Sequence, residues 1–363
     1  MRHRYIAAIA AAALCMAPAD LESQQEIVRG ELPPMPEPTY HLAPAGVRVE
    51  TVATDLVAVW AIKFAPDGRM FFTEREGRVR TISPDGVLDP EPWLAIEDRV
   101  LFRGEAGVMG IALHPSYPAE PWVYVMYTAQ EDGVLENRIS RFREVNGRAG
   151  EEEILISGLA VQASGGSHNG GTLHFGPDGM LWASTGDAFE RQRSEDLGDL
   201  GGAVLRLTPD GEVPADNPIP GNPIWAYGLR NVHGIAWQPG TGASFAGDHG
   251  PTGEDGTFFH DRVVVLEEGR HHGWPRVIGA PGLPEYVDPI LTFVPSAPPG
   301  DVLFYDAELM PQFRGDMFVS ILGFQPAAAQ TLLRVRFEDP ARPQFPTAME
   351  RWFNDGEGTS APW

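Results

Sequence analysis

Several kinds of residue are scarce in this chain, and each scarcity removes a class of function. Cys15 is the only cysteine in 363 residues, so no intrachain disulfide framework holds the fold. Lys63 is the only lysine. A guanidinium cannot serve as a Schiff-base amine, so covalent amine chemistry is confined to Lys63, which sits in an alternating strand pattern. Positive charge is short overall: 27 Lys and Arg face 50 Asp and Glu, for a net charge of −23 and a pI near 4.7. That balance argues against nucleic acid or an anionic membrane surface as a partner. Helical periodicity is missing as well. Beyond the N-terminal segment, no stretch keeps an apolar repeat of about 3.6 residues without meeting Gly or Pro, which excludes a helical bundle.

The N-terminus has the parts of an export signal. Met1-Arg2-His3-Arg4-Tyr5 is a basic n-region, Ile6 to Met16 an apolar h-region, and Ala17-Pro18-Ala19 a cleavage site. Residues 1–19 are therefore expected to leave on export, which places the mature chain in the periplasm or outside the cell. The apolar run is too short to span a bilayer, so no membrane insertion is expected after cleavage. Leu14 before Cys15 does not suit a lipoprotein box, and the mature chain would be cysteine-free. Residues 20–46, with Pro33-Pro34-Met35-Pro36-Glu37-Pro38, read as an extended proline-rich linker. Residues 47–363 form the remaining domain.

What the chain has in quantity is turn material, with 41 Gly and 34 Pro beside 43% hydrophobic residues. This composition describes many short strands separated by turns. One phrase recurs: an apolar strand, a turn and a second apolar strand. It appears at Ala61–Glu74 around Ala65-Pro66-Asp67-Gly68, at Gly110–Thr128, at Leu173–Ser184 around Gly176-Pro177-Asp178-Gly179, at Gly234–Ala246 and at Met310–Ser320. A period of roughly 50–75 residues is blade-like spacing for an all-β propeller, whose inner loops converge on a central channel. A tandem of small β-sandwiches explains the recurring phrase less well.

The stretch from Ser164 to Asp187 concentrates the chemistry. His168 lies between Gly165-Gly166 and Gly170-Gly171, so a flat ligand can approach both imidazole and backbone. That setting suits a general base; the alternative is a Gly-rich loop carrying an incidental histidine. Later come Tyr227-Gly228-Leu229-Arg230-Asn231-Val232-His233-Gly234, Gly247-Asp248-His249-Gly250-Pro251 and His271-His272-Gly273-Trp274-Pro275. A transition-metal reading of His249, His271 and His272 is disfavoured because adjacent strand residues point to opposite faces.

Taken together, these phrases resemble the soluble quinoprotein sugar dehydrogenases, the glucose/sorbosone dehydrogenase family. The resemblance rests on Thr73-Glu74-Arg75-Glu76-Gly77-Arg78-Val79, Gly104-Glu105-Ala106-Gly107-Val108-Met109-Gly110-Ile111-Ala112-Leu113-His114-Pro115, the His168 stretch, Tyr227 to Asn231, His249-Gly250-Pro251, Gly273-Trp274-Pro275 and Phe313-Arg314-Gly315-Asp316-Met317-Phe318-Val319, in family order from Val47 to Phe337. It implies a six-bladed β-propeller holding pyrroloquinoline quinone (PQQ) through Ca²⁺, and oxidation of an aldose at its anomeric carbon to a lactone. Electrons would then pass to an external acceptor, a quinone or a cytochrome.

On this resemblance His168 is the base. Asp187 is read as the carboxylate fixing its tautomer, with a self-capping turn aspartate as the alternative. Glu105, Arg230, Asn231 and Ser296 would contact the cofactor, the backbone carbonyls of Gly250 and Pro251 would bind Ca²⁺, and Asp255 would support that loop.

The chain also departs from the family pattern. Gly256 stands where a second-calcium glutamate is expected, His272 where a tyrosine is, and Val294 where an aromatic is; Ser320-Ile321-Leu322 lacks a cofactor lysine. No last strand-turn-strand phrase precedes Trp363, so the sixth blade is expected to be incomplete, or to be completed by residues near Val47. Arg334 and Arg336 share a strand face and would compensate only if that face met the channel. Other readings are a non-catalytic or degenerate sugar- or protein-binding propeller, and a calcium-dependent lactonase, which would need a cluster of acidic ligands on the axis.

Overall fold

The computed structural model describes residues 27–323, 330–339 and 341–356, apart from the side chain of Asp255. The expected signal segment, residues 1–19, lies outside the described residues. Among those described, no helix is long and apolar enough to cross a membrane.

Most strands gather into five blades, each an antiparallel four-stranded sheet built outward from an inner strand. Blade 1 contains Val59–Phe64, Met70–Glu74, Arg78–Ile82 and Leu94–Ala95; blade 2 contains Val108–Leu113, Trp122–Glu131, Val134–Val145 and Arg148–Leu159. Blade 3 contains Leu173–Phe175, Leu181–Ser184, Val204–Leu207 and Ile224–Ala226; blade 4 contains Val232–Trp237, Ser244–Asp248, Asp261–Val265 and Leu291–Phe293. Blade 5 contains Pro299–Phe304, Met317–Ile321, Thr331–Arg336 and Ala348–Trp352, with Pro38–His41 added in parallel on its outside.

The recurring turn has a physical basis that repeats with it. In Ala65-Pro66-Asp67-Gly68, the Gly68 N–H donates to the Ala65 carbonyl at 2.9 Å and the Ala65 N–H to the Arg69 carbonyl at 2.8 Å. Gly176-Pro177-Asp178-Gly179 repeats both bonds at 2.9 Å. Proline presets the φ of the first central residue, and Gly68 and Gly179, at φ 86° and 74°, take the left-handed position that reverses the strand.

The blades are stacked sheet on sheet, so inner strands such as Val108–Leu113 are buried on both faces and read as nearly continuous apolar runs. An apolar cluster fills each gap from blade 1 to blade 5 in turn: Phe71 and Val79 against Val123 and Phe142, Met126 and Ile139 against Leu181 and Leu205, Val204 and Ala226 against Ile235 and Val264, and Phe245 and Leu291 against Val302 and Met317. Between blades 1 and 2, half-buried Glu144 accepts hydrogen bonds from Tyr117 Oη at 2.9 Å and Trp93 Nε1 at 2.8 Å, and pairs with Arg69 at 3.2 Å. Burial and the Glu144 charge push the Tyr117 hydroxyl up to about 12.

The expected sixth blade is not present among the described residues: apart from Val277–Ile278, the strands from Val59 to Trp352 are consumed by five blades. The N-terminal segment does supply an outer strand, but to a blade that already holds four strands of its own. Residues 27–46 are extended and lie against the propeller. Val28–Arg29 pairs with Val277–Ile278, Ile27 packs on Trp274 and Ile278, and Met35 touches the cluster between blades 4 and 5. Among the described residues, no apolar cluster joins blade 5 to blade 1. Val59, Ile62 and Phe64 on the innermost strand of blade 1 and Leu303 on that of blade 5 are exposed.

The burial pattern sets a contrast within one blade. Phe71, fully buried and edge-on to Trp93 and Tyr117, should cost about 3–5 kcal/mol when replaced by Ala. Phe64, 69% exposed, should change stability by no more than about 0.5 kcal/mol when replaced by Ala. Denaturant midpoints of the two variants check the assignment; equal losses would contradict it.

Candidate active site

His168 stands on the loop entering blade 3, in a left-handed conformation with φ 56°. Two glycines make this possible. A Cβ on Gly186 would come 2.1 Å from the His168 carbonyl oxygen, and one on Gly170 would come 2.7 Å from the Ser184 carbonyl, so the histidine loop lies directly on the Thr185-Gly186-Asp187 segment.

That contact presents Asp187 to the imidazole. His168 Nδ1 lies 2.6 Å from Asp187 Oδ1, both residues being buried. The same carboxylate accepts from the Phe189 N–H at 2.9 Å and, through Oδ2, from Trp274 Nε1 at 2.9 Å. Three donors hold the carboxylate as an acceptor, which puts the proton on Nδ1 and leaves Nε2 as the lone-pair nitrogen. Phe189, exposed on its outer side, stacks on the His168 ring at 3.6 Å between centroids and 13° between planes.

Arg230 and Asn231 follow the outermost strand of blade 3 and enter blade 4. Their backbone N–H groups both donate to buried Asp248, at 3.0 and 2.8 Å, and Asp248 is paired with buried Arg262 at 2.7 Å. The Arg230 guanidinium lies between the Phe189 and Trp274 rings, 5.7 and 5.5 Å from their centroids, and pairs with Glu254 at 2.5 Å. Asn231 accepts from the Gly170 N–H at 2.9 Å and donates to Glu105 at 3.0 Å. Glu105 also accepts from the His168 N–H at 2.8 Å, so one carboxylate braces both residues. Burial works against its charge, yet His233, His249 and His168 around it hold the Glu105 carboxyl well below the usual carboxylate range.

The structure thus brings His168, Asp187, Glu105, Arg230 and Asn231 together, and Gly250 and Pro251 share one cavity with Arg230, His249 and Trp274. The Pro251 carbonyl accepts from the Phe259 N–H at 2.8 Å. Ser296 is placed differently. Its hydroxyl donates to Asp261, whose carboxyl is raised by burial against that bond and those from the Gly250 and Ala297 N–H groups. The Asp255 side chain lies outside the described residues.

Arg334 and Arg336 sit on the third strand of blade 5. Arg334 pairs with Asp316 at 2.6 Å and Glu350 at 3.2 Å, and Arg336 with Glu338 at 3.0 Å. His271 and His272 lie outside the strands, contrary to the expected alternation, and their rings meet different partners. His271 packs on Tyr227 and Tyr286, and burial lowers it to about 4; His272 lies beneath Arg262, which bonds its carbonyl.

Sequence reasoning passed over Phe189, Trp274, Asp248 and His233 as site residues. The first two are ordinary aromatics in sequence, and only the fold aims them at Asp187 and Arg230. His233 had a usable signal: pairing of Val232 with Asp248 in one hairpin puts His233 and His249 at the same end of blade 4. On the axis, Lys63 Nζ lies 3.1 Å from His174 Nδ1 and shares a cavity with Asp301, and burial lowers the Lys63 ammonium against the pull of that carboxylate.

With this geometry in place, comparison with known proteins is informative. The profile of the Glucose / Sorbosone dehydrogenase family matches residues 56–355. Aldose sugar dehydrogenase YliI of Escherichia coli is 28% identical over 306 residues, covering 77% of this chain and 79% of that protein. The PQQ-bound aldose sugar dehydrogenase of Streptomyces coelicolor superposes with a TM-score of 0.71 at 28% identity, covering 86% of each chain. The mouse Hedgehog-interacting protein is 31% identical over 178 residues, 41% of this chain and 25% of that protein. The match over residues 56–355 spans every blade described above, and the chain belongs to the glucose/sorbosone dehydrogenase family.

Proposed function

We propose that this chain is an exported quinoprotein that oxidises aldose sugars at the anomeric carbon to lactones and passes the electrons to an external acceptor. The observation that carries the reading is the buried His168–Asp187 pair, with Nε2 as its lone-pair nitrogen, beside Arg230. Oxidation of a hemiacetal removes the hydroxyl proton and a hydride from the same carbon. His168 Nε2 takes the proton, and Asp187 stabilises the imidazolium that results, its orientation fixed by Trp274 and the Phe189 N–H. PQQ held with Ca²⁺ supplies, when bound, the two-electron acceptor for the hydride.

The donor set fits such a group. Arg230, Gly250 and Pro251 line one small cavity, and a guanidinium suits a cofactor carboxylate as backbone carbonyls suit a hard cation. Around it Arg230 is held by Glu254, and Arg262 by Asp248, so little cationic charge is left over. Glu105 and Asn231 act on the base by holding its loop.

A second reading, a binding propeller without turnover, is favoured by the match to a protein named for interaction rather than catalysis. The lactonase reading is less well supported: the axial cluster offers Glu105 with two imidazoles rather than a ring of carboxylates.

Reconstitution of the purified protein with PQQ and Ca²⁺, followed by a dye-linked assay across aldoses, separates the readings. Turnover in the parent protein is expected. His168→Ala should lower kcat by about 10²–10⁴ while PQQ still binds. Asp187→Asn, which keeps the shape but lets the ring adopt the other tautomer, should lower kcat by a similar order with KM little changed. Turnover near normal in His168→Ala would remove the base assignment, and binding of PQQ without any turnover would favour the second reading.

Cofactor affinity gives an independent check by calorimetry. Arg230→Ala should weaken PQQ binding by about 10- to 100-fold, the loss of a charge-assisted contact of about 1.5–3 kcal/mol. Arg334→Ala, on the outer part of blade 5, should leave it unchanged. Weakening in Arg334→Ala alone would place the cofactor elsewhere.

A further inference from the structure

Glu105, His233 and His249 come together from three separate segments, the loop entering blade 2 and the two paired strands that open blade 4. One donor atom of each lies within 4.8 Å of the other two. His233 Nε2 is 3.6 Å from Glu105 Oε2, too long for a hydrogen bond, and the His233 and His249 rings lie 3.9 Å apart with 27° between planes.

Two independent details distinguish this cluster from a packed set of polar residues. First, His233 is only 3% exposed and its Nε2 is buried with no hydrogen-bond partner, although it points toward a carboxylate. A buried ring nitrogen with an unused lone pair or proton is uncommon, and a ligand at that point would satisfy it. Second, His249 Nε2 lies 2.9 Å from the Pro299 carbonyl oxygen. A carbonyl only accepts, so Nε2 carries the proton and Nδ1 presents the lone pair. This is how the far nitrogen of a metal-bound imidazole is fixed, by donation to a backbone carbonyl.

We propose that Glu105, His233 and His249 form a binding site for a divalent first-row transition ion at the inner end of blade 4. Two imidazole nitrogens with one carboxylate select such an ion over Ca²⁺ or Mg²⁺, which take all-oxygen sets. Donors bound to one ion at about 2.1 Å sit roughly 3–3.5 Å apart, so binding draws the cluster together by about 1 Å, within reach of side-chain rotation. Of the three, His233 also lines the axial cavity, together with Trp60, Lys63 and Asp301. The site adjoins the Gly250 and Pro251 loop through His249 but uses side-chain nitrogens and a carboxylate rather than those carbonyls, and it does not depend on the dehydrogenase reading.

The test uses the tag-free protein, stripped with a chelator and titrated with Co²⁺ in the absence of PQQ, followed by visible absorption and calorimetry. One equivalent of Co²⁺ is expected, with d–d bands of a nitrogen- and oxygen-ligated ion, unaffected by an equal concentration of Ca²⁺. His249→Gln, His233→Gln and Glu105→Gln should each weaken binding by more than about 100-fold, exceeding the loss typical of an outer-shell partner. His271→Gln, whose ring lies among Tyr227 and Tyr286, should bind as the parent does. Circular dichroism establishes that each variant is folded. X-ray absorption on the Co²⁺-loaded parent protein needs no variant and should show scattering from two imidazoles. Absence of Co²⁺ uptake, displacement by Ca²⁺, an absorption spectrum without imidazole scattering, or unchanged affinity in folded His233→Gln and His249→Gln would each overturn the proposal.

Discussion

The carboxylate of Asp187 is the junction on which the site depends. It accepts from the imidazole of His168, from the backbone of Phe189 and from the indole of Trp274. Trp274 comes from the long connection within blade 4, so these bonds tie blade 3 to its neighbour across the channel mouth. A buried carboxylate needs several donors to remain charged, and here the donors also build the site, since His168 is the base, Phe189 its stacking partner and Trp274 a wall beside Arg230. Asp248 does the same one layer further in, receiving the backbone of Arg230 and Asn231 and the side chain of Arg262. Two buried acids thus set the positions of the groups that meet a ligand.

Much of this was legible in the sequence because it is local. The repeated strand-turn-strand phrase marks the inner hairpins of blades 1 to 4, and the Gly-rich loop marks His168 as a residue set against backbone. Asp187 could be assigned to His168 because one hairpin brings the two segments back together. The blade number was not legible in the same way. The family pattern implied six, whereas the described chain forms five blades, and Pro38–His41 extends the last of them rather than starting another. Phe189, Trp274 and the Glu105–His233–His249 cluster were hidden for a related reason: their meaning lies in contacts between blades, and nothing in a single segment announces its neighbour across a channel. Ser296, chosen for its hydroxyl, meets the Gly250 loop only in the fold, where both donate to Asp261.

Charge organises the molecule as strongly as packing does. In a chain with a net charge of −23, the arginines around the site are taken up by internal acids: Arg230 by Glu254, Arg262 by Asp248 and, farther out, Arg334 by Asp316 and Glu350. Such pairs rigidify the walls while leaving little free cation for an anionic ligand. The axis carries a different chemistry, imidazoles and a lone amine in a buried setting where His249 and His174 are held well below their ordinary values by burial. The same propeller therefore offers one cavity lined by Arg230 and His249 and another lined by Lys63, His174 and His233.

The central claim is that the fold delivers His168 with its proton on Nδ1 and a free lone pair on Nε2. Nitrogen-15 and proton NMR of histidine-labelled protein near neutral pH reads this directly. The account predicts a downfield, slowly exchanging Nδ1 proton assigned to His168, lost in Asp187→Asn, with Nε2 at the shift of an unprotonated imidazole nitrogen. A resonance showing the proton on Nε2 in the parent protein would contradict it.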